Sequence, residues 1–171
     1  QNQVNALIPY EVSVDTSLQL LVQRGATYSV PVQINMADAQ PAVFSSGGVP
    51  GSAGVIQVYP SAGGQPYFAS PSAPAHAGDT IILYCSGLGV VNPAVTDGAA
   101  PGQQLSKTVS SAQLMIGGQS AQVNFSGLTP GFAGLYQVNA VVPAGTETGA
   151  NVPVTLAIAG QTSPPVTLSI Q

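Results

Sequence analysis

Short runs of alternating hydrophobic and polar residues, separated by glycine and proline, make up most of this chain. Apolar residues at every second position predict strands with one buried face, and almost no stretch shows the spacing of an amphipathic helix. From residue 55 onward the predicted strands are 55–59, 80–85, 113–116, 121–125, 135–142, 152–159 and 166–170. Regularly spaced short strands of this kind predict an all-β protein, folded as a β-sandwich.

Two of these regions carry further local signals. The run TIILYC at residues 80–85 is apolar without interruption, which predicts a strand that is buried on both faces. The sequence Gly117-Gly118-Gln119 supplies the positive φ angles that a tight turn needs. The strands on either side of it are therefore predicted to form a hairpin.

Three further apolar runs precede residue 36, and each places its apolar side chains on one face. The runs are Val4, Ala6 and Ile8, then Leu18, Leu20 and Val22, then Val30, Val32 and Ile34. Residues 39–54 follow with a sequence rich in proline, glycine and serine, which is typical of a connector. The predicted organisation is a partial unit at residues 1–38, a linker at 39–54 and a β-sandwich at 55–171.

The start of the chain repeats its end. Residues 3–9 read QVNALIP and residues 137–143 read QVNAVVP, with five identities in seven positions. The same spacing of 134 positions aligns PVQI at residues 31–34 with PVTL at residues 165–168. The chain thus contains one whole repeat, preceded by the C-terminal half of another.

Four motifs occur in a fixed order along the second part of the chain: GDTIILYCSGLG, IGGQSAQV, FSGLTPGFAGLYQVNAVVP and VPVTLAIAGQTS. Together they resemble the uncharacterised C-terminal domain family found at the ends of large secreted proteins of Solibacter and other Acidobacteria. That family is similar to Ig-like sandwiches of the IPT/TIG type. The resemblance spans residues 40–171, and residues 3–36 match the family's final third again. It implies an extracellular, Ig-like module and offers no catalytic residues.

Charged residues are scarce. They make up 5% of the chain, with 2 strong bases, Arg24 and Lys107, whereas about 25% is usual for a soluble domain. Two scattered bases cannot neutralise a phosphate backbone, which argues against nucleic acid as a partner. No stretch approaches the ~20 apolar residues of a membrane-spanning helix, so no membrane insertion is predicted. A chain poor in lysine and rich in serine, threonine and glycine is predicted to be extracellular or at the cell surface.

The candidate catalytic groups have structural explanations. His76 lies three residues before Asp79, and Ser86 is a candidate nucleophile for a hydrolase triad. The G-x-S-x-G turn of such hydrolases is absent, so Gly78 and Asp79 are interpreted as the turn into the next strand. Cys85 lies within an apolar strand without a basic neighbour in sequence and is interpreted as a buried, inert thiol. The chain is therefore predicted not to be an enzyme.

No metal or cofactor site is predicted. Most of the carboxylates lie in turns, where Asp has ordinary structural roles, and no calcium-binding loop of the EF-hand type is present. A weak ion site at Asp97 is the alternative. Tyr59, Tyr67 and Phe68 are candidate ligand contacts, because exposed aromatic rings can stack against a sugar. Packing at the edge of the core is the competing explanation for these rings.

The partial repeat needs a cover for its apolar face. A sheet of this size is not stable alone in water, and burying one Val, Leu or Ile contributes about 1.5 to 3 kcal/mol. The nine apolar residues of the three runs before residue 36 are therefore candidate assembly residues. Their cover has three candidate sources: residues 40–75 of the same chain, an upstream half domain, or another copy of the protein.

Cover by another copy predicts directional assembly. An unpaired sheet edge pairs with strands of other chains, and a head-to-tail contact that does not close gives a fibre. The leading hypothesis is an extracellular structural subunit that self-assembles through its amino-terminal segment. The alternative is a carbohydrate-binding or adhesive module of a secreted bacterial protein, with its ligand on the three aromatic residues or on the loop at residues 87–106.

Overall fold

Strands account for all the regular secondary structure of the computed structural model, which describes residues 4–171. Within this range there is no helix, so the all-β prediction is confirmed. The strands before residue 36 are β1 (Ser17–Leu20), β2 (Gln23–Arg24), β3 (Thr27–Tyr28) and β4 (Val32–Asn35). The later strands are β5 (Ala42–Val43), β6 (Ile56–Tyr59), β7 (Tyr67–Phe68), β8 (Thr80–Ser86), β9 (Val91–Asn92), β10 (Lys107–Thr108), β11 (Gln113–Ile116), β12 (Gln119–Leu128), β13 (Tyr136–Val141), β14 (Gly149–Ile158), β15 (Gln161–Thr162) and β16 (Val166–Ile170).

The later strands form a β-sandwich in which antiparallel sheets curl around one core. One sheet has the order β6-β8-β13-β12, and the other contains β11, β14 and β16. Strand β12 joins them, because its first residues pair with β11 and its later residues pair with β13. The positive φ angles of Gly117 and Gly118 make the tight turn between β11 and β12, as predicted.

The core between the sheets is aliphatic. Strand β8 shows how it is built: Ile81, Leu83 and Cys85 are buried, while the residues between them are half-buried. The prediction that this strand is buried on both faces is therefore wrong, because its alternate side chains lie on the outer face of the sheet. The other large, fully buried side chains are Ile56, Val58, Leu88, Leu114, Ile116, Leu128, Val138, Val142, Leu156 and Leu168.

Residues 39–54 belong to the sandwich and are not the linker that the sequence predicted. Strand β5 pairs with β8, and Ala39 and Val43 are buried. The backbone N–H of Gln40 donates to the carbonyl of Gly87 at 2.8 Å. Gly87 has a φ of 73° and no room for a Cβ, because the Gln40 carbonyl lies against it. The proline, glycine and serine residues of this region form turns around a short strand whose partner is distant in sequence.

Residues 4–36, which we call the half repeat, form ribbons of their own. Strand β1 pairs with β4, and β2 pairs with β3. The apolar run at residues 4–8 forms no strand. Gln3, the first residue of the repeated motif, lies outside the described residues.

The half repeat has the same strand register as residues 138–170, which we call the closing segment. Strand β1 pairs antiparallel with β4, as the corresponding part of β14 pairs with β16, and β2 pairs with β3, as the end of β14 pairs with β15. The spacing of 134 positions holds for every pair compared. In the half repeat the opposed pairs are Leu18 with Ile34, Leu20 with Val32 and Arg24 with Thr27; in the closing segment they are Val152 with Leu168, Val154 with Val166 and Ile158 with Gln161.

Candidate functional site

The half repeat is an amphipathic ribbon with an exposed apolar face. Residues directly opposite each other in a strand pair share a face. The polar face carries Gln19, Gln33 and Ser17, and Gln33 Nε2 donates to Ser17 Oγ at 2.8 Å. The apolar face of β1 and β4 carries Leu18, Leu20, Val32 and Ile34.

The candidate assembly residues are only partly covered by the rest of the described chain. Eight of the nine are exposed, and Ile34 is half-buried. Val4 is 73% exposed and Leu20 is 43% exposed, whereas their counterparts Val138 and Val154 are inaccessible to solvent. The same sequence pattern is therefore core in one copy and surface in the other.

The strands that cover the closing segment explain this difference. In the sandwich, β13 lies between β8 and β12, and β14 lies beside β11. These partners all belong to residues 39–128, which we call the framework. Within residues 4–171, the half repeat has no framework of its own, so its apolar side chains remain on the surface.

A tyrosine pair connects the half repeat to the sandwich. Tyr136 donates its hydroxyl hydrogen to the carbonyl of Gly89 at 2.6 Å, and its oxygen lies 2.8 Å from the Tyr10 hydroxyl. Because the Tyr136 hydrogen is already used, Tyr10 is the donor in this pair. The backbone N–H of Tyr10 also donates to Asp97 Oδ1 at 3.1 Å. Burial, together with the bond from Tyr10, raises the pKa of Tyr136, so this hydroxyl stays neutral at physiological pH.

An open groove of about 490 Å³ lies between the half repeat and the sandwich, next to the tyrosine pair. Ala6, Ile8 and Ile34 line it on the side of the half repeat, and Gly87 and Val90 line it on the side of the sandwich. These candidate assembly residues therefore open onto the groove and are accessible to a partner.

Two of the three candidate ligand contacts share the outer face of a sheet. Phe68 lies opposite Gln57, and Tyr59 is two residues further along the same strand as Gln57. Tyr84 belongs to this face as well, because its hydroxyl donates to Gln57 Oε1 at 3.1 Å. Tyr59 and Phe68 are exposed, so the two rings and the glutamine amide offer a partly apolar surface to solvent.

Tyr67, the third candidate, lies on the opposite face. It is paired with Val58, which is fully buried, and its hydroxyl donates to the carbonyl of Pro74 at 2.7 Å. Burial, followed by the nearby charge of Asp79, raises its pKa. Tyr67 therefore packs at the edge of the core and is not part of the outer face. The sequence analysis missed Gln57, although its two-residue spacing from Tyr59 places both on one face of a strand.

Asp79 is a buried carboxylate with a structural set of donors. Its Oδ1 accepts from the backbone N–H and the hydroxyl of Ser61 at 2.8 and 3.1 Å, and its Oδ2 accepts from the N–H of His76 at 2.9 Å. Burial alone would raise the pKa of Asp79, but these donors and the nearby His76 ring lower it below its usual value. Ser86 lies at the far end of β8, so the candidate triad of Ser86, His76 and Asp79 is not brought together.

The other chemically reactive groups among residues 4–171 are few. Cys85 is a free, fully buried thiol, and burial raises its pKa to about 12, so the predicted buried position is confirmed. This part of the chain contains no group of three His, Cys, Asp or Glu side chains that could hold a metal ion. It also contains no helix long and apolar enough to cross a membrane.

The chain has no match among protein-family models, curated proteins or solved structures. The resemblance to the acidobacterial domain family therefore stays a prediction, and so does the Ig-like type of the sandwich. Two features of the molecule are candidates for a function, the exposed apolar face of the half repeat and the aromatic outer face.

Proposed function

We propose that this protein is an extracellular structural module with an Ig-like fold, and that its half repeat joins it to another unit of a fibre or surface structure through β contacts. The observation that carries the proposal is the difference in cover between two segments of one pattern. The closing segment is buried, while the half repeat exposes the equivalent side chains. An apolar face that is exposed in this way is typical of an interaction surface.

Exposing this apolar face to water is unfavourable for a segment as small as the half repeat. Two-stranded ribbons are at best marginally stable alone. The four apolar residues of β1 and β4 are already about half covered, so a partner that buries them fully adds on the order of 3 to 6 kcal/mol. That is comparable with the net stability of a whole domain, about 5 to 15 kcal/mol. The favoured state of the half repeat is therefore one with a partner.

The scarcity of charge also favours close contact between units. The half repeat carries the charged side chains of Glu11, Asp15 and Arg24 only, and none of them lies on the apolar face of β1 and β4. Little like-charge repulsion therefore opposes the approach of a second unit.

The association of the purified protein tests this proposal. We expect its mass, measured by size-exclusion chromatography with light scattering, to rise with concentration because exposed apolar faces associate. Leu20→Asp on the apolar face should keep the protein monomeric, whereas Gln19→Asp on the polar face of the same strand should not. A wild-type protein that stays monomeric at high concentration, with residues 17–35 resistant to protease, would contradict the proposal.

The outer face with Tyr59 and Phe68 favours a second function, carbohydrate binding. Two exposed rings beside the amide of Gln57 combine apolar contact area with hydrogen bonding. On a glycan array, Phe68→Ala should weaken any specific binding by about fivefold or more, since one aromatic contact contributes on the order of 1 kcal/mol. Phe132→Ala, which removes an exposed ring in a distant turn, is the matched control. Equal binding by both variants would contradict this function.

A further inference from the structure

We infer that the half repeat closes a second sandwich, and that its partner is a strand framework equivalent to residues 39–128, joined in tandem ahead of residue 4 in a longer chain. This inference rests on the proposed function and names the unit that the half repeat joins.

The turns of the half repeat reproduce those of the closing segment. The backbone N–H of Ser29 donates to the carbonyl of Val22 at 2.9 Å, and the N–H of Val22 donates to Ser29 Oγ at 3.0 Å. Ser163 and Leu156 make the same reciprocal pair at 2.8 and 3.0 Å. Together with the shared strand register, these bonds give the half repeat the local structure of a segment that closes a sandwich.

The inward side chains of the two segments also match in kind. In the closing segment, all the residues compared are buried, and their side chains pack against the framework. A partner with the inward residues of β8, β11 and β12 therefore fits the half repeat. The matched pairs are Val4 and Val138, Ala6 and Ala140, Ile8 and Val142, Leu18 and Val152, Leu20 and Val154, Val22 and Leu156, Val32 and Val166, and Ile34 and Leu168.

Copies of this chain alone cannot supply a framework for every segment that needs one. Each copy brings two segments that need a framework, the half repeat and the closing segment, but only one framework. If a half repeat displaced the closing segment of another copy, the closing segment would be exposed in its place. Two half repeats packed face to face would still leave residues 4–8 without the neighbours that β8 and β12 provide for β13. A framework ahead of residue 4 satisfies both requirements.

The residue at position 24 indicates which chemistry the partner must offer there. Arg24 corresponds to Ile158, which is buried in the sandwich. A guanidinium group cannot be buried at such a site without a compensating charge or water. The framework that covers the half repeat therefore differs from residues 39–128 near this position, and it offers Arg24 either an acidic side chain or access to solvent.

A duplicated chain tests the inference. A second copy of residues 37–136 is joined directly ahead of residue 3, which restores the repeat spacing and gives the half repeat a framework. The substitution Arg24→Ile is made in the same protein, because this framework has no place for a charge at position 24. In the tandem protein we expect amide hydrogen exchange in β1 and β4 to slow by at least about 100-fold relative to the 171-residue protein. The association through the apolar face should disappear.

The tandem protein with Leu20→Asp and Val32→Asp is the matched control and should lose this protection. The inference is overturned if the added framework does not fold, or if β1 and β4 exchange as fast as before. If Leu20→Asp nevertheless abolishes association of the 171-residue protein, the proposed function stands and the partner is another copy. If Leu20→Asp also leaves the association of the 171-residue protein unchanged, the inference and the proposed function fail together.

Discussion

The half repeat and the closing segment have the same pattern and register but different surroundings. Leu20 and Val154 occupy equivalent positions, opposite Val32 and Val166, yet one side chain is on the surface and the other is in the core. Alternation and turn residues within about 35 positions are therefore enough to set the register of a β ribbon. Whether its apolar face is core or surface depends on strands that lie elsewhere in the sequence.

The largest difference between the two regions is expected from the matched substitutions Val154→Asp and Leu20→Asp. At Val154, the change removes a buried side chain and buries an unpaired carboxylate, which costs roughly 5 kcal/mol or more. A domain has about 5 to 15 kcal/mol of net stability, so we expect the sandwich to unfold. The carboxylate at position 20 stays in water, and the sandwich should keep its stability within about 0.5 kcal/mol.

Urea unfolding followed by circular dichroism and tyrosine fluorescence measures both variants. Val154→Ala is a milder control, because it removes packing without adding a charge and should lower the unfolding free energy without abolishing the fold. Equal losses of stability at positions 20 and 154 would show that the apolar face of the half repeat is covered in solution.

Acid is expected to act on the sandwich through Asp79, which has no counterpart in the half repeat. The folded-state pKa of Asp79 lies below its usual value, so its stabilising effect is complete above the unfolded pKa near 3.9 and is lost as the pH falls through the folded pKa. Asp79→Asn should lower the unfolding free energy at neutral pH by about 2 kcal/mol. It should also flatten the dependence of stability on pH between about 2 and 5.

Urea midpoints at a series of pH values measure this effect. Asp97→Asn is the control, because Asp97 is exposed and accepts one bond from the half repeat. If Asp97→Asn flattened the dependence of stability on pH as much as Asp79→Asn, the donors around Asp79 would not be the cause of that dependence.

A smaller difference in unfolding free energy is expected between Ser163→Ala and Ser29→Ala. Both hydroxyls accept a backbone N–H at 3.0 Å, but Ser163 is buried and Ser29 is exposed. Loss of the buried acceptor leaves the Leu156 N–H without this partner and should cost about 1 to 2 kcal/mol. Water replaces the exposed acceptor, so Ser29→Ala should change the unfolding free energy very little. Comparable losses in the two variants would contradict a difference in cover.

Much of the fold could be predicted from the sequence, because most strands have an apolar residue at every second position. The strands from residue 55 onward are present with ends that shift by at most three residues. The prediction of a linker at 39–54 was wrong, because β5 pairs with β8 and both Ala39 and Val43 are buried. Partners so distant in sequence leave no periodic signal in a segment rich in turns. The strand pattern at residues 4–8 forms no strand either, which shows that alternation alone does not set strand pairing.

The candidate sites were predictable to a similar degree. The exposed apolar face follows from the internal repeat, because a closing segment without a framework leaves its core residues uncovered. The aromatic outer face was predicted only in part, since the face on which Tyr67 lies is set by its pairing with Val58. The bond between Tyr10 and Tyr136 joins residues far apart in sequence, and no local pattern indicates it.

Tyr10→Phe should have the smallest effect and should loosen the junction without weakening the sandwich. The change removes the hydrogen that Tyr10 donates to Tyr136, while Tyr136 keeps its own bond to Gly89, so at most about 1 kcal/mol is lost at the junction. Limited proteolysis near residues 36–40 should be faster at an unchanged unfolding free energy, and Tyr28→Phe, at an exposed ring of the half repeat, should change neither. If Tyr10→Phe destabilised the whole sandwich, the half repeat would unfold cooperatively with it, and its exposed face would belong to one folding unit rather than to a separate segment that needs a partner.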